Sequence, residues 1–575
     1  MTGPPSAPES SAAAGSVCNG EGAPGPRWLD ALALLLAPLT VLAQGHRFGV
    51  GNQEFLLASI RRAIDPTFLV NDWFLSTPPH HPLLVGALAP LCAALGEAPA
   101  LLAVHLATRW LLLAGAWRLV MALWPGRGWL AAGVMAALVF EPRLRVGGHY
   151  LQGGHWEPAF LGMALALWIL AAAVRWRERE GSGWRLGLLG GAGILAHLFI
   201  CGPVFAVALV AAAWRARAWH VALQVGLVAA VVGAPSWVPA AAGFLAPAES
   251  PLSPTELIRV LQFRHPHHHQ PWTWPASHLV AVVVLAVGTV MVLRRAGGRL
   301  VVPAALGGWF VVTSLAFAAA GWWGVVPLLA YMQPVRLLSL FLPLALAAIW
   351  MVAGTVDRRW WFCAGYGVMM LVLLRLPGAL GVGIVGLTLA ALSGRVGGNN
   401  APTPPARLPR PRWLVAGGVA GLAMVAAMQA SPALRAVAGV GRAEYWLAEV
   451  APRDPERRAL AEWVRANTAP TDVFAIPPAM TNFRLWEERA IVVDLKGVPY
   501  RNADLAEWAV RIGLGTNAQP TVRGEVPPEQ DVSPWQLILL AEAHGARYVV
   551  VRGIVEDPRA VWRSRVYTVL DLRGH

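Results

Sequence analysis

The chain has 575 residues, 56% hydrophobic and only 14% charged, against roughly 25% charged in soluble globular domains. Its net charge of +14 belongs to residues 1–430, because the stretch from Ser431 onward holds 18 basic and 18 acidic residues. A nucleic-acid binder gathers its basic residues on a folded aqueous face. Here they form short clusters between apolar runs of membrane-spanning length, which argues against nucleic acid and makes the lipid bilayer the first partner.

Residues 1–27 are rich in Pro, Gly, Ser and Ala and carry no charged segment running into an apolar one. They read as a disordered cytoplasmic tail, not a signal peptide. Apolar stretches then follow at 28–46, 98–123, 127–141, 157–176, 184–198, 200–214, 218–241, 276–294, 299–320, 335–354, 358–375, 377–393 and 412–430. Several are short for a span, so the expectation is a mainly α polytopic protein with about 11–13 transmembrane helices. Spans alternate the loops between two sides, and Arg-rich turns such as RWRERE from Arg175, RRAGGR from Arg294 and the Pro-rich run from Gly394 all fall on the same side of this map. By the positive-inside rule those turns are cytoplasmic, which puts the N-terminus inside and the chain after Gln429 outside, in a multi-pass protein of the cell (inner) membrane.

The domain reading is a membrane domain over 28–430, with a first outer loop at 47–97, and an extracytoplasmic domain over 431–575. That last part alternates strand-like runs, VFAIPP from Val473, IVVDLKG from Ile491 and ARYVVVRG from Ala546, with helical stretches such as DPERRALAEWVRANT from Asp454. It predicts a small α/β domain whose first helix starts at Asp454-Pro455, a capping side chain followed by proline. It contains no Gly-rich phosphate loop, GxSxG or CxxC. Cys92, Cys201 and Cys363 lie in or beside apolar runs and imply no disulfide framework.

Sorting polar residues by side leaves a short group on the outer face. The first loop carries Asn52, Gln53, Glu54, Asp65, Asp72, Trp73, His80 and His81. The loop EPRLRVGGHYLQGGHWEP from Glu141 adds His149, His155 and Glu157, and RHPHHHQPWTW from Arg264 adds His267 and His268. YMQPVR from Tyr331 adds Gln333 and Arg336. Nine of the fifteen histidines fall in these loops or, as His46, beside the first helix. Such rings are either interfacial anchors or ligands. A divalent metal is compatible with His beside Asp or Glu, but HPHHHQ lacks helical ligand spacing, HEXXH is absent, and no cofactor is required. Arg336 either snorkels or binds phosphate through its bidentate fork.

The run HHPLLVGALAPLCAALG from His80, followed by LLAVHLATRWLLL from Leu101, resembles the start of the integral-membrane glycosyltransferases of the GT-C superfamily, among them protein O-mannosyltransferases and aminoarabinose transferases. Pro82-Leu83-Leu84, Gly96 and Arg109 match that family's second interfacial helix, its end, and the arginine of the next span. The resemblance implies transfer of a sugar from a polyprenyl-phosphate-linked donor to a glycan, lipid or protein acceptor. It also implies an acidic residue of the first outer loop as general base or metal ligand. Where the family shows an acidic pair, this chain reads Gly51-Asn52-Gln53-Glu54. Amides cannot serve as bases, so Glu54, Asp65 or Asp72 remain, with Asp72 preferred because Trp73 offers a stacking face for a sugar.

The chain is also similar to bacterial membrane proteins of unassigned activity, through the Asn-Gln after the first helix, DPTFLVNDW at Asp65–Trp73, a His-His element in a middle outer loop, and AEWVRANTAPTDVFAIPP from Ala461. Three functions stay open at this point. They are a glycosyltransferase, a catalytically silent relative that binds a lipid-linked glycan or assists envelope assembly, and a transporter with Arg109 and Arg118 as its intramembrane charges.

Overall fold

A computed structural model describes residues 27–140, 153–178, 182–245, 252–264, 307, 334–344, 346–347, 430–431, 445–446, 454–499, 501–516 and 532–573. Each of the first seven expected apolar stretches is a helix: α1 (Arg27–Gln44), α5 (Glu97–Leu123), α6 (Gly128–Phe140), α7 (Pro158–Arg177), α8 (Gly183–Ala196), α9 (Leu198–Ala216) and α10 (Trp219–Leu245). Between α1 and α5 lie β1 (His46–Arg47), which pairs in parallel with β2 (Tyr445–Trp446), and α2 (Gln53–Ile64), the one-turn α3 (Trp73–Ser76) and α4 (Pro82–Leu95). Within α1, α5, α7 and α10 the chain is long and apolar enough to cross a membrane, four such helices among the described residues. The expected stretches at 276–294, 358–375 and 377–393, nearly all of 299–320 and 412–430, most of 335–354, and the tail at 1–26 lie outside those residues.

α5 and α7 form the centre of the bundle, with α1 and α6 against one side and α8, α9 and α10 against the other. Close approach follows from small residues. A Cβ at Gly187 of α8 would stand 2.8 Å from the backbone oxygen of Val225 in α10, and one at Gly191 would stand 2.5 Å from Val232 Cβ. Small residues at such crossings let helix backbones pack tightly without help from a hydrophobic effect. Arg118 of α5 pairs with Asp30 of α1 at 2.8 Å and lies between the rings of Trp117 and Trp168, 4.2 and 4.0 Å from their centroids. This assigns Arg118 to helix packing.

The C-terminal part is a small α/β unit. Its sheet has the order β4 (Ala490–Ile491), β3 (Val473–Ala475), β5 (Tyr548–Arg552), β7 (Tyr567–Asp571), β6 (Ala560–Arg563). The pairs β3–β4 and β3–β5 are parallel; β5–β7 and β6–β7 are antiparallel. β5 is apolar on both faces. Tyr548 and Val550 pack with Leu460 and Val464 of α12 (Pro455–Asn467), while Val549 and Val551 face Leu505 and Trp508 of α14 (Asn502–Thr516) and Leu537 of α15 (Pro534–His544). A strand covered on both sides reads as an unbroken apolar run. Asp454 caps α12 as its position before Pro455 predicts, its Oδ1 accepting from Glu456 N at 3.0 Å. A second apolar set joins this unit to α11 (Pro254–Arg264), whose Leu257, Ile258 and Leu261 pack in the same cluster as Trp508 and Ile538.

Candidate functional site

The chain from β1 to the start of α2 folds against residues 153–157, just before α7. Gln53, expected as a ligand, is a brace: its Oε1 accepts from Gly49 N at 2.8 Å and its Nε2 donates to Trp156 O at 3.0 Å. Asn52 Nδ2 donates to Glu157 Oε2 at 3.2 Å, and the other oxygen of Glu157 lies 2.8 Å from His155 Nε2. Gly51 is left-handed (φ +67°), and a Cβ there would stand 2.7 Å from His155 Nε2. The two amides and the glycine therefore hold the acidic residues in place.

Glu54 and Glu157 are set apart by their surroundings. Glu54 is buried; its Oε1 accepts from Gly51 N at 3.2 Å, and its Oε2 has no partner within 3.5 Å among the described residues, with the Thr481 hydroxyl the nearby donor that acts on the carboxyl. Burial pushes its carboxyl above the usual range, against the pull of the Lys496 ammonium and the Thr481 hydroxyl, and Asp494 adds to the rise. Burial acts the same way on Glu157, but the hydrogen bond and charge of His155, with Lys496 and Asn52, hold it below the usual range. Two nearby carboxyls moved in opposite directions are the arrangement from which acid and base roles are drawn.

The C-terminal unit supplies the opposite side of this site through α13 (Phe483–Trp486) and the turn after β4. Asp494 Oδ1 accepts from Lys496 N at 2.9 Å and Gly497 N at 2.5 Å, and its Oδ2 binds Arg484 Nη1 at 2.5 Å. Arg484 Nε in turn donates to Asp72 Oδ2 at 2.8 Å. The two carboxylates keep Arg484 charged: burial opposes its positive form, but Asp494 and Asp72 outweigh that. Arg264, at the end of α11, makes no hydrogen bond among the described residues, and its Nε is buried without a partner. Burial brings it down to about 10 against the attraction of Asp494 and Glu54, so it remains a cation at neutral pH.

Deeper along α5 a second polar chain is buried. Arg109 Nε donates to His105 Nε2 at 3.0 Å, and His105 Nδ1 faces His46 Nδ1 at 2.9 Å. A guanidinium only donates. His105 therefore accepts at Nε2, donates from Nδ1, and leaves the His46 hydrogen on Nε2. Arg109 Nη2 also donates to Gly153 O. The arginine expected in this span thus ties α5 to the segment that carries His155 and Glu157.

Other expected site residues take structural places. Asp65 is exposed at the end of α2 and closes a turn, accepting from Thr67 N at 2.8 Å and Thr67 Oγ1 at 2.6 Å; these bonds hold its carboxyl below the usual range. Asp72, the preferred base, is buried with both oxygens engaged: Oδ1 accepts from Leu75 N, and Oδ2 from Arg484 Nε and Ile491 N. Trp73, expected to stack on a sugar, is covered by the Arg511 guanidinium 4.2 Å from its ring. His80 lies between the rings of Phe55 and Phe74 and bonds the backbone oxygen of Val498. His81 precedes α4, and its ring lies tilted against that of His197, 5.2 Å between centroids.

His149, His267, His268 and Gln333 lie outside the described residues, and of Arg336 only its place in the 3-10 segment Pro334–Phe341 is described. Among the described residues no three His, Cys, Asp or Glu side chains are grouped to hold a metal ion. Sequence reading passed over Arg264, Arg484, Asp494 and Lys496 as site residues. Lys496 alone carried a visible signal, being the single lysine among 46 basic residues.

Residues 455–514 match the family model described as a domain of unknown function, DUF6798. The matched stretch contains Arg484, Asp494 and Lys496. No curated protein matches the chain.

Proposed function

We propose that the chain is a GT-C-like polytopic glycosyltransferase of the inner membrane, transferring a sugar from a polyprenyl-phosphate-linked donor at the extracytoplasmic face. The observation that carries this reading is Glu54, a buried carboxylate with one oxygen unpartnered among the described residues and with cations nearby. Glu54 replaces Asp72 as the base because both Asp72 oxygens are already engaged. A raised carboxyl is the stronger base once ionised.

In the reaction, the acceptor hydroxyl oxygen attacks the anomeric carbon while Glu54 Oε2 takes its proton. The bond from that carbon to the carrier phosphate oxygen breaks, and the electron pair leaves with the phosphate. The buried Arg264 guanidinium offsets the charge that develops there. The acceptor is a hydroxyl of a glycan, lipid or protein.

The test uses purified protein with polyprenyl-phosphate sugars and an acceptor. Release of the carrier phosphate by wild type and its loss in Glu54→Gln are expected; turnover that survives in Glu54→Gln overturns the assignment. Asn52 and Gln53, amides engaged as braces, favour a second reading, a silent relative that binds the lipid-linked glycan. Donor binding without release by wild type would select that reading.

A further inference from the structure

We infer that Lys496, carried by the C-terminal unit, is a ligand-binding residue of this site for the donor's phosphate group, so that the site is complete only while that unit is docked. This rests on the proposed function. The turn that carries Lys496 is fixed on three sides. Asp494 Oδ1 accepts from the backbone nitrogens of Lys496 and Gly497, Arg484 binds the other oxygen of Asp494, and Asp72 binds Arg484 from the segment after α2. Gly497 has no room for a side chain: a Cβ would stand 2.9 Å from Arg484 Nη1 and 3.1 Å from Phe74 Cγ. A turn built this tightly sets the direction in which the next side chain leaves it.

That side chain is half-buried, and its charge acts on both Glu54 and Glu157, residues that lie on either side of the Gly51–Asn52 segment. Among the described residues its ammonium makes no hydrogen bond or ion pair. Arg264, the other cation acting on Glu54, is likewise without a hydrogen bond. Two cations held beside a carboxylate without closing onto it suit a mobile anionic group, because neither must break a protein ion pair to receive it. Elsewhere this chain uses arginine for its fixed pairs, as at Arg484–Asp494 and Arg61–Glu97. A lysine is a compact point charge on a flexible stem, suited to follow a phosphate that changes charge during reaction.

The probe is a long-chain polyprenyl phosphate, titrated against the full-length protein in detergent micelles. Losing a charge-assisted contact weakens binding by about tenfold to a hundredfold, and that loss is expected for Lys496→Met, with KM rising more than kcat falls. Lys496→Arg restores most of the affinity. Lys496→Met loses the attraction of this charge for Glu54 and Glu157 but breaks no hydrogen bond among the described residues, so its thermal midpoint falls far less than that of Asp72→Ala, and the recovery of binding in Lys496→Arg separates lost binding from lost folding. A parallel titration with inorganic phosphate separates the sources: competition with the lipid probe that Lys496→Met abolishes places phosphate itself at Lys496, and its absence alongside intact lipid binding shows that the lipid is also needed. Equal affinity of wild type and Lys496→Met for the lipid probe overturns the inference and leaves Glu54 standing. Failure of wild type to bind the probe removes the proposed function with it.

Discussion

Asp72 and Arg484, 412 residues apart, form a buried ion pair at 2.8 Å that joins the segment after α2 to the C-terminal unit. Around it the same two surfaces meet through Arg61 Nη1 and Glu488 at 2.9 Å, Asn71 Nδ2 and Thr471 O at 2.7 Å, and Leu485, which packs with Leu56 and Ile60. Asp72, the aspartate whose position beside Trp73 suggests chemistry, instead anchors the C-terminal unit and the turn that carries Lys496.

Removing one member of a buried pair leaves the other charge uncompensated, at a cost of about 3–5 kcal/mol. Asp72→Ala is therefore expected to lower the thermal midpoint and to speed tryptic cleavage after Arg501, which follows the docked turn. Asp72→Asn keeps an oxygen for Leu75 N and Ile491 N and should lose less. An Asp72→Ala protein as resistant as wild type would show that docking rests on the remaining contacts.

Glu54 has its carboxyl raised by burial, so the native state holds that proton more tightly than the unfolded chain does. Its contribution to stability falls as pH rises from the unfolded value of about 4.3 through the raised native value. Glu54→Gln retains a carbonyl oxygen for Gly51 N and carries no charge. Above that window the variant should unfold at a higher temperature than wild type while losing turnover. The acid limb of the wild-type rate profile should lie above the ordinary glutamate range.

Gly497 is bounded by Arg484, Asp494 and Phe74 at 2.9, 3.0 and 3.1 Å from an added Cβ. Arg484 cannot swing aside without leaving its two carboxylates. Gly497→Ala is expected to cost about 1–3 kcal/mol by overpacking, read as a lower midpoint, and to reduce affinity for the lipid phosphate. A neutral outcome on both would show that the turn relaxes freely.

His46 is neutral over most of the accessible range, its imidazole brought down to about 4 by burial, then by the charges of Arg109 and His155. A histidine with a lowered native value loses stability as pH falls from its unfolded value of about 6.5 toward that lowered one. Thermal midpoints measured across this interval should fall for wild type and fall less for His46→Asn. Nitrogen NMR of wild type should show the hydrogen on Nε2 of His46 and on Nδ1 of His105. The opposite tautomers would break the assigned direction of the Arg109–His105–His46 chain.

How much was legible follows from the range of each interaction. Apolar length announced α1, α5, α7 and α10, and Asp454-Pro455 announced the start of α12, because spanning and capping are local properties. The strand-like runs at Val473, Ile491 and Ala546 locate β3, β4 and β5 but not β6 and β7; β6 is only four residues long, and its half-buried and exposed residues alternate. Glu54, His155 and Glu157 stand out in the sequence for the plain reason that few ionisable residues exist. Their ranking was not legible. Asp72 beside Trp73 looks like a sugar site until Arg484 and Arg511 are brought against them.

Composition and the length of its apolar runs alone determined a chain of apolar helices ending in a charge-balanced α/β unit, and four of the described helices are long and apolar enough to cross a membrane. The sparse charge also limited where chemistry can arise. Only the tertiary structure decided which charges are consumed in holding the two parts together and which remain beside Glu54. That decision depends on contacts across more than four hundred positions, and electrostatic fate in a buried site is set by neighbours in space.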